Sequence, residues 1–289
     1  MRRVGFIGTE NSHIDHFMRF LNTEGRHPGF RATALAGGDN ERNRTLAAAG
    51  GIELVVEEPE DLLGQVDVAV ICTRDGARHR EQAEPLLRAG VPVLVDKPLA
   101  TTVADAEAIV AAARAGGAVL ESASALRFVP QIAELGSARE PDGALRQLGL
   151  VGPADPDSPY SGLFFYGIHH VEAALELLDN PMLAAHDLHS VVRRDGDTTV
   201  AMVRTSEVTL VFTFITPGES GRVPFHATAI GTTGVRGSEL VLDKDYNAPL
   251  LARFVHAVET STPSIDYARL ISPVAVLESV THALDTSRA

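Results

Sequence analysis

Up to about residue 121, short β-branched runs alternate with Ala-rich segments whose apolar positions recur at helical spacing, the pattern of a parallel sheet wrapped by crossover helices. It predicts strands at Val4 to Ile7, Ala32 to Ala36, Val66 to Cys72, Val91 to Val95 and Val119 to Glu121, with helices at His13 to Asn22, Asn40 to Ala49, Ala77 to Ala89 and Val103 to Ala115. Gly90, Gly116 and Gly117 stand where helix C-termini need a residue at ease with positive φ. The handedness of such crossovers gives a doubly wound sheet.

After Pro130 the order changes. Leu145 to Val151 reads as a strand, Gly162 to Leu178 as a helix, and Leu188 to Leu242 as successive extended runs broken at Asp195-Gly196-Asp197, Thr205-Ser206-Glu207 and Pro217-Gly218-Glu219-Ser220-Gly221. These breaks carry turn chemistry and predict an antiparallel meander. Helices from about Pro249 to Glu259 and Tyr267 to Thr286 close the chain. Strands segregated from helices indicate an α+β domain, so the fold class is α/β, an N-terminal doubly wound parallel sheet (1–121) plus a C-terminal α+β domain with a mostly antiparallel open sheet (122–289).

Composition narrows the function. The 289 residues carry 25 Lys plus Arg against 38 Asp plus Glu, a formal charge of −13 that argues against nucleic-acid or anionic-membrane partners. Cys72 is the only cysteine, so no internal disulfide forms. No uncharged apolar stretch of about 18 residues appears, and Met1-Arg2-Arg3 runs straight into Val4-Gly5-Phe6-Ile7-Gly8 with no signal-peptide core, which reads as cytoplasmic.

In a doubly wound sheet, ligands bind beyond the carboxyl ends of the strands. A first strand ending in Gly8 and followed at once by a helix is where a dinucleotide's pyrophosphate sits, on free amides and a positive helix end. The string is Gly8-Thr9-Glu10-Asn11-Ser12-His13, with only the first glycine of G-x-G-x-x-G, so Glu10 stands where phosphate approaches. At 4 Å two unit charges repel by about 1 kcal/mol in water and more in a dry site. Asn11 and Ser12 compensate by capping the helix or donating to phosphate. After the second strand, Asp39 is either the acid for the adenosine ribose or the N-cap of the next helix, and Arg42 and Arg44 leave NAD versus NADP open. In Val93-Leu94-Val95-Asp96-Lys97-Pro98, the proline keeps Lys97 extended and presents its ammonium to the crevice, where it can polarise a carbonyl or move a proton.

The Gly8 turn, the Thr73…His79 segment, Asp96-Lys97-Pro98 and Arg127-Phe128-Val129-Pro130 together resemble the Gfo/Idh/MocA family of NAD(P)-dependent oxidoreductases, as does the stretch from Phe254 to Pro263 before the final helix. The resemblance covers nearly the whole chain and implies a Rossmann first domain binding NAD or NADP. It implies that Lys97, in a variant of the family's Glu-Lys-Pro, is catalytic. It also implies that Thr73 and His79 line the cofactor, with Arg74 and Asp75 replacing the family's Pro and Asn. The implied cofactor set is Gly8, Thr9, Asn11, Ser12, His13, Asp39, Thr73, Arg74, His79, Asp96 and Lys97.

The family's Asp-x-Gly-x-His-x-x-Asp helix corresponds to Phe165-Tyr166-Gly167-Ile168-His169-His170-Val171-Glu172. Gly167 and His169 match, Glu172 replaces the last acid, and Phe165 replaces the first. Positions 165, 169 and 172 share a helix face, so Glu172 is expected to orient His169, with Arg127, Tyr166, His169 and His170 as substrate contacts. Adjacent His169 and His170 cannot converge with Glu172 on one ion, and no metal site is expected. The resemblance implies a dehydrogenase or reductase acting on a hydroxyl or ketone carbon of a sugar-like or polyol substrate, with Lys97, His169 and Glu172 as its catalytic residues: Lys97 and His169 manage the hydroxyl proton across an interdomain cleft, and Glu172 orients the histidine. A non-redox binding module of the same fold, or a lyase, hydrolase or epimerase that oxidises transiently with a retained cofactor, stays open. Val208, Leu210, Phe212 and Phe214 alternate with Thr209, Val211, Thr213 and Ile215, and the resemblance implies that the outer face supports a homo-oligomer, dimer or tetramer.

Overall fold

A computed structural model describes residues 1–137, 142–218 and 222–288. It separates into two compact units: Met1–Ala100, Ala104–Ala123 and Asn247–Tyr267 form the first, and Thr101–Val103, Ser124–Tyr246 and Ala268–Ala289 the second. A single cut after residue 121 would place Asn247–Tyr267 in the second unit, whereas they pack with the first.

In the first unit, β1 (Arg2–Ile7), β2 (Phe30–Ala36), β3 (Leu54–Val56), β4 (Val68–Ile71), β5 (Val93–Asp96) and β6 (Leu120–Ala123) form an all-parallel sheet in the order β3-β2-β1-β4-β5-β6. This is the doubly wound arrangement, and its order reverses between β1 and β4. Residues of β4 and β5 are buried throughout, as strands covered on both faces must be. The short edge strand β3 is the one the apolar pattern misses.

The helices α1 (His13–Met18), α2 (Asn40–Gly50), α3 (His79–Arg88) and α4 (Val103–Gly116) follow the predicted spacing with shifted ends. The first is shorter than the pattern suggests, because Arg19–Thr23 continue as a π-helical turn. That turn carries Asn22 to β2, where its amide exchanges hydrogen bonds with the Ala32 backbone at 3.0 and 2.9 Å. Gly90 and Gly117 adopt positive φ, but Gly116 does not. Gly116 is needed for another reason: a Cβ there would lie 1.9 Å from the Leu87 carbonyl oxygen.

In the second unit, α5 (Pro130–Ser137), which the sequence pattern does not reveal, precedes β7 (Leu145–Pro153). The predicted 162–178 helix is a short 3₁₀ turn at Gly162–Phe164 followed by α6 (Gly167–Glu176). The extended runs are β8 (His189–Asp195), β9 (Thr198–Arg204), β10 (Thr209–Ile215), β11 (Phe225–Gly231) and β12 (Val235–Leu240). Residues 219–221 of the proposed turn lie outside the described residues.

The sheet order is β12-β11-β7-β10-β9-β8. Only β8-β9-β10 and the β11-β12 pair are antiparallel neighbours in sequence; β7 lies between β10 and β11 and runs parallel to β10. The meander is therefore interrupted by an earlier strand. The register sets Leu148 beside Leu210 and Leu150 beside Phe212, all on the face covered by α6. Leu210, Phe212 and Phe214 are fully buried there, each contributing roughly 1.5–3 kcal/mol. The opposite face presents Val151, Val191, Val200 and Met202 as exposed apolar residues. The last helices are α7 (Ala248–Thr260) and α8 (Tyr267–Arg288).

Candidate active site

In the first unit, the tips of β1, β4 and β5 gather one group of candidate residues. Gly8 has φ +79°, and a Cβ on it would stand 2.3 Å from Thr73 Oγ1, so only glycine lets the β1 tip lie against the β4 tip. The Thr9 hydroxyl beyond it is buried with no hydrogen-bond partner among the described residues, and its carbonyl accepts from Arg42 Nε at 3.2 Å. Glu10, the side chain that would oppose a phosphate, is drawn onto the backbone N–H of Arg74, which donates to its Oε1 at 3.0 Å. Asn11 Oδ1 accepts from His13 N at 3.1 Å, which caps the helix start, while Ser12 is exposed and makes no side-chain cap. A turn with a positive-φ glycine, the buried Thr9 hydroxyl unpartnered among the described residues and its one acid engaged elsewhere fits a bound dinucleotide phosphate.

Asp39 does what its alternative reading expected: one carboxylate oxygen caps α2 by accepting from the Glu41 and Arg42 amides, both at 2.9 Å. The carboxylate is exposed. Arg42 also pairs with Asp15 through its guanidinium.

Asp96 ends β5 wholly buried. It receives His13 Nδ1 at 2.7 Å and the Asn11 amide at 3.4 Å. Burial raises its carboxyl, but the charge and hydrogen bond of His13, with Lys97 beside it, outweigh that and hold it below the usual aspartate value. Lys97 follows, buried at 6% exposure. His79 is fully buried and bridges two loops, with Nδ1 2.6 Å from the Pro98 carbonyl and Nε2 2.9 Å from that of Thr73. Burial pushes its pKa down. The Thr73 hydroxyl donates to Gln82 at 2.9 Å. His79 thus ties the loop after β4 to the loop carrying Lys97, and Arg74 places its backbone on Glu10.

In the second unit, α6 and the 3₁₀ turn at Ala125–Phe128 hold a separate group of candidate residues. His169 Nδ1 lies 2.6 Å from Ser124 Oγ, and its ring packs against Tyr166 and Phe225 with centroids 5.5 and 5.7 Å away. Glu172, expected to orient His169 directly, accepts from the Ser124 backbone N–H at 2.8 Å. Its support therefore reaches the histidine through Ser124. Burial raises the Glu172 carboxyl above its ordinary value against the pull of Arg127 and the Ser124 amide.

Arg127 is buried at 6% exposure, and its guanidinium donates to Glu176 at 2.9 and 2.7 Å, to Asn180 at 2.8 Å and to Glu172 at 3.4 Å. His170 has no solvent exposure and no well-formed hydrogen bond at either ring nitrogen. It sits edge-on to Phe214 and Phe225. Burial takes its pKa from 6.5 to about 4, opposed only in part by the Tyr166, Gly167 and Gly152 backbone. Of the four expected substrate contacts, Tyr166 is exposed at 41%, His169 is nearly buried, and Arg127 and His170 lie inside the unit.

Sequence reasoning did not find Ser124, Glu176 or Asn180. Ser124 left one trace, a small hydroxyl residue before Ala125-Leu126-Arg127-Phe128, which reads as a helix N-cap. No group of three or more His, Cys, Asp or Glu suited to a metal occurs among the described residues.

Residues 2–123 match the model of an oxidoreductase family with an NAD-binding Rossmann fold, GFO_IDH_MocA. Inositol 2-dehydrogenase 1 of Saccharopolyspora erythraea is 39% identical over 137 residues, a match spanning 46% of this chain and 40% of that relative's length. Inositol 2-dehydrogenase 2 of the same organism is 30% identical over 267 residues, 82% of this chain and 76% of the relative. Among solved structures, GenD2 from gentamicin A biosynthesis in complex with NAD superposes with a TM-score of 0.82 at 18% identity, covering 99% of this chain and 95% of that one. The fold, the match over the first domain and the 30% identity across three quarters of a full-length relative agree: the chain belongs to the Gfo/Idh/MocA family of oxidoreductases.

Proposed function

We propose that this chain moves a hydride between NAD or NADP and a hydroxyl or ketone carbon of a sugar-like or polyol substrate. The observation that carries the reading is the β5 tip, where Lys97 follows a buried carboxylate fixed by His13, in a chain whose relatives are named as inositol dehydrogenases. When bound, the nicotinamide supplies a two-electron hydride acceptor or donor. In the first unit, Gly8, Thr9, Asn11, Ser12 and His13 hold the pyrophosphate, and Asp39 keeps one carboxylate oxygen for the ribose while the other caps α2. Thr73, Arg74 and Asp96 shape the floor, and His79 fixes the loops around it. In the second unit, His169 and Tyr166 contact the substrate. Lys97 and His169 manage the hydroxyl proton of the substrate. Glu172 supports His169 through Ser124, and Arg127 and His170 keep α6 in place.

The outer face of the second sheet, with Val151, Val191, Val200 and Met202 exposed beside half-buried Thr209, Val211, Thr213 and Ile215, supports a homo-oligomer, a dimer or tetramer. A cytoplasmic setting is part of the proposal, supported by the lone Cys72 buried as a thiol.

The test is a titration of NADH and NADPH by fluorescence and thermal shift, followed by an inositol, pentose and hexose panel read at the nicotinamide absorbance. Micromolar cofactor binding with turnover on a polyol is expected. No binding at millimolar cofactor overturns the proposal in favour of a binding module. Cofactor that co-purifies without net reduction points to transient oxidation instead.

A further inference from the structure

We infer that Glu10 is a positioning residue for the dinucleotide: its carboxylate braces the loop after β4 against the turn after β1, and the site uses its hydrogen bond rather than its charge. This rests on the proposed cofactor and accounts for an acid at the second glycine position of the phosphate turn.

A side chain at that position either faces the phosphate or turns aside, and the backbone on both sides of Glu10 is fixed. Thr9, wholly buried, packs so closely under Gly38 that a Cβ there would lie 1.9 Å from its hydroxyl oxygen, and its carbonyl accepts from Arg42 Nε at 3.2 Å. Asn11 is buried as well, accepting from the His13 amide at 3.1 Å and donating to Asp96 at 3.4 Å. Between them Glu10 is half-buried and reaches the β4 loop, where its Oε1 accepts the Arg74 backbone N–H at 3.0 Å.

The receiving loop is anchored on either side of that bond. The Cys72 N–H donates to the Ile7 carbonyl at 2.7 Å, the Thr73 hydroxyl donates to Gln82 at 2.9 Å, and Asp75 Oδ1 accepts from the Ala77 N–H at 3.1 Å. Gly8 and Thr73 stand so close that a Cβ on Gly8 would lie 2.3 Å from Thr73 Oγ1. A shift of one loop therefore moves the other, and Glu10 adds a link just beyond that contact.

The N–H of Arg74 asks only for a lone pair. Glutamine at position 10 offers one without charge, whereas alanine offers neither. At position 74, alanine keeps the backbone hydrogen and proline removes it. Charge, side chain and brace thus separate by substitution.

The experiment measures dissociation constants for NADH and NADPH by fluorescence in the full-length chain, comparing the two neutral variants Glu10→Gln and Glu10→Ala. Glu10→Ala is expected to bind about fivefold more weakly than Glu10→Gln, the size of one hydrogen bond. The gap should persist in an Arg74→Ala background and close in an Arg74→Pro background. Equal affinities for the two Glu10 variants overturn the inference, as does a gap that survives Arg74→Pro. Amide hydrogen exchange without cofactor gives a second reading. The Arg74 N–H should be protected in the native chain and in Glu10→Gln, and should lose that protection in Glu10→Ala. Equal exchange in the native chain and Glu10→Ala overturns the brace even if the proline variant fails to fold. Because exchange is read without dinucleotide, failure of the brace is separate from failure of the cofactor proposal, which would show as no binding by the native chain at millimolar concentration.

Discussion

Asp96 and Glu172 are both wholly buried carboxylates beside a proposed catalytic residue, and they are pushed in opposite directions. Asp96 is held below its ordinary value because His13 contacts it at 2.7 Å and Lys97 adjoins it in the chain. Glu172 is raised by burial, which Arg127 at 3.4 Å only partly offsets, since Arg127 turns its shorter bonds to Glu176. Burial is common to both, so the neighbour decides the charge. The first unit sets an imidazole directly against its acid, whereas in the second Ser124 stands between the acid and the histidine.

The largest expected effect probes the weaker pairing. Arg127→Ala leaves Glu172 and Glu176 without their shared cation, and loss of one partner of a buried pair costs about 3–5 kcal/mol. Chemical denaturation should show a loss of that order, partly recovered by Glu176→Gln in the same background. A change under about 1 kcal/mol would mean that solvent reaches the cluster.

His170 extends the comparison to a buried group whose shift comes chiefly from burial. Its folded pKa is depressed from 6.5 to about 4, so between those values the unfolded chain binds a proton that the folded protein refuses. The associated stability is complete above 6.5 and declines as pH falls toward 4, by up to about 3 kcal/mol. His170→Leu should flatten that part of the stability profile; an unchanged slope would sink the assignment.

Next comes Lys97→Ala, expected to reduce turnover at least about a hundredfold, some 2.7 kcal/mol of barrier, with the far-ultraviolet spectrum retained. Wild-type turnover on an identified polyol would remove Lys97 from the reaction.

The smallest effect separates the two acids by sign. Asp96, with its pKa lowered from 3.8, contributes stability that is complete above that value and is lost as pH falls through the folded one. Glu172, raised from 4.5, does the reverse: its contribution is present below 4.5 and lost as pH rises through the folded value. Asp96→Asn should therefore soften the acid limb, and Glu172→Gln should lift the limb above 4.5. Two variants moving the same limb would show the carboxylates to be equivalent.

What the sequence disclosed follows from range of interaction. The first unit was legible because β-branched strands, capping residues and glycines act locally: Gly8, Asp39 and the 93–96 strand each carry their cause within a few residues. Residues 54–56 escaped because three apolar residues at an edge give too short a period. The place of β7 between β10 and β11 escaped because its pairing partners, such as Gln147 with Thr209 and Val151 with His226, lie far apart in sequence and leave no local mark. Lys97 and His169 were singled out by their strings, whereas the bond from Ser124 to His169 spans 45 residues and that from Arg127 to Glu176 spans 49. Glu172 was expected to touch His169 by helix spacing alone, and the backbone of a distant turn takes its carboxylate instead.

The first unit is discontinuous in sequence, and this governs how the gene can be divided. Glu121, 3% exposed near the end of its last strand, accepts from the Ser264 amide and hydroxyl, both at 2.6 Å, and Tyr267 bonds the backbone of Ala118 and Leu120. A fragment ending at residue 123 strands that carboxylate in an apolar setting with its donors deleted. During translation, the nucleotide-binding half must wait for the ribosome to deliver more than a hundred further residues before its final wall arrives.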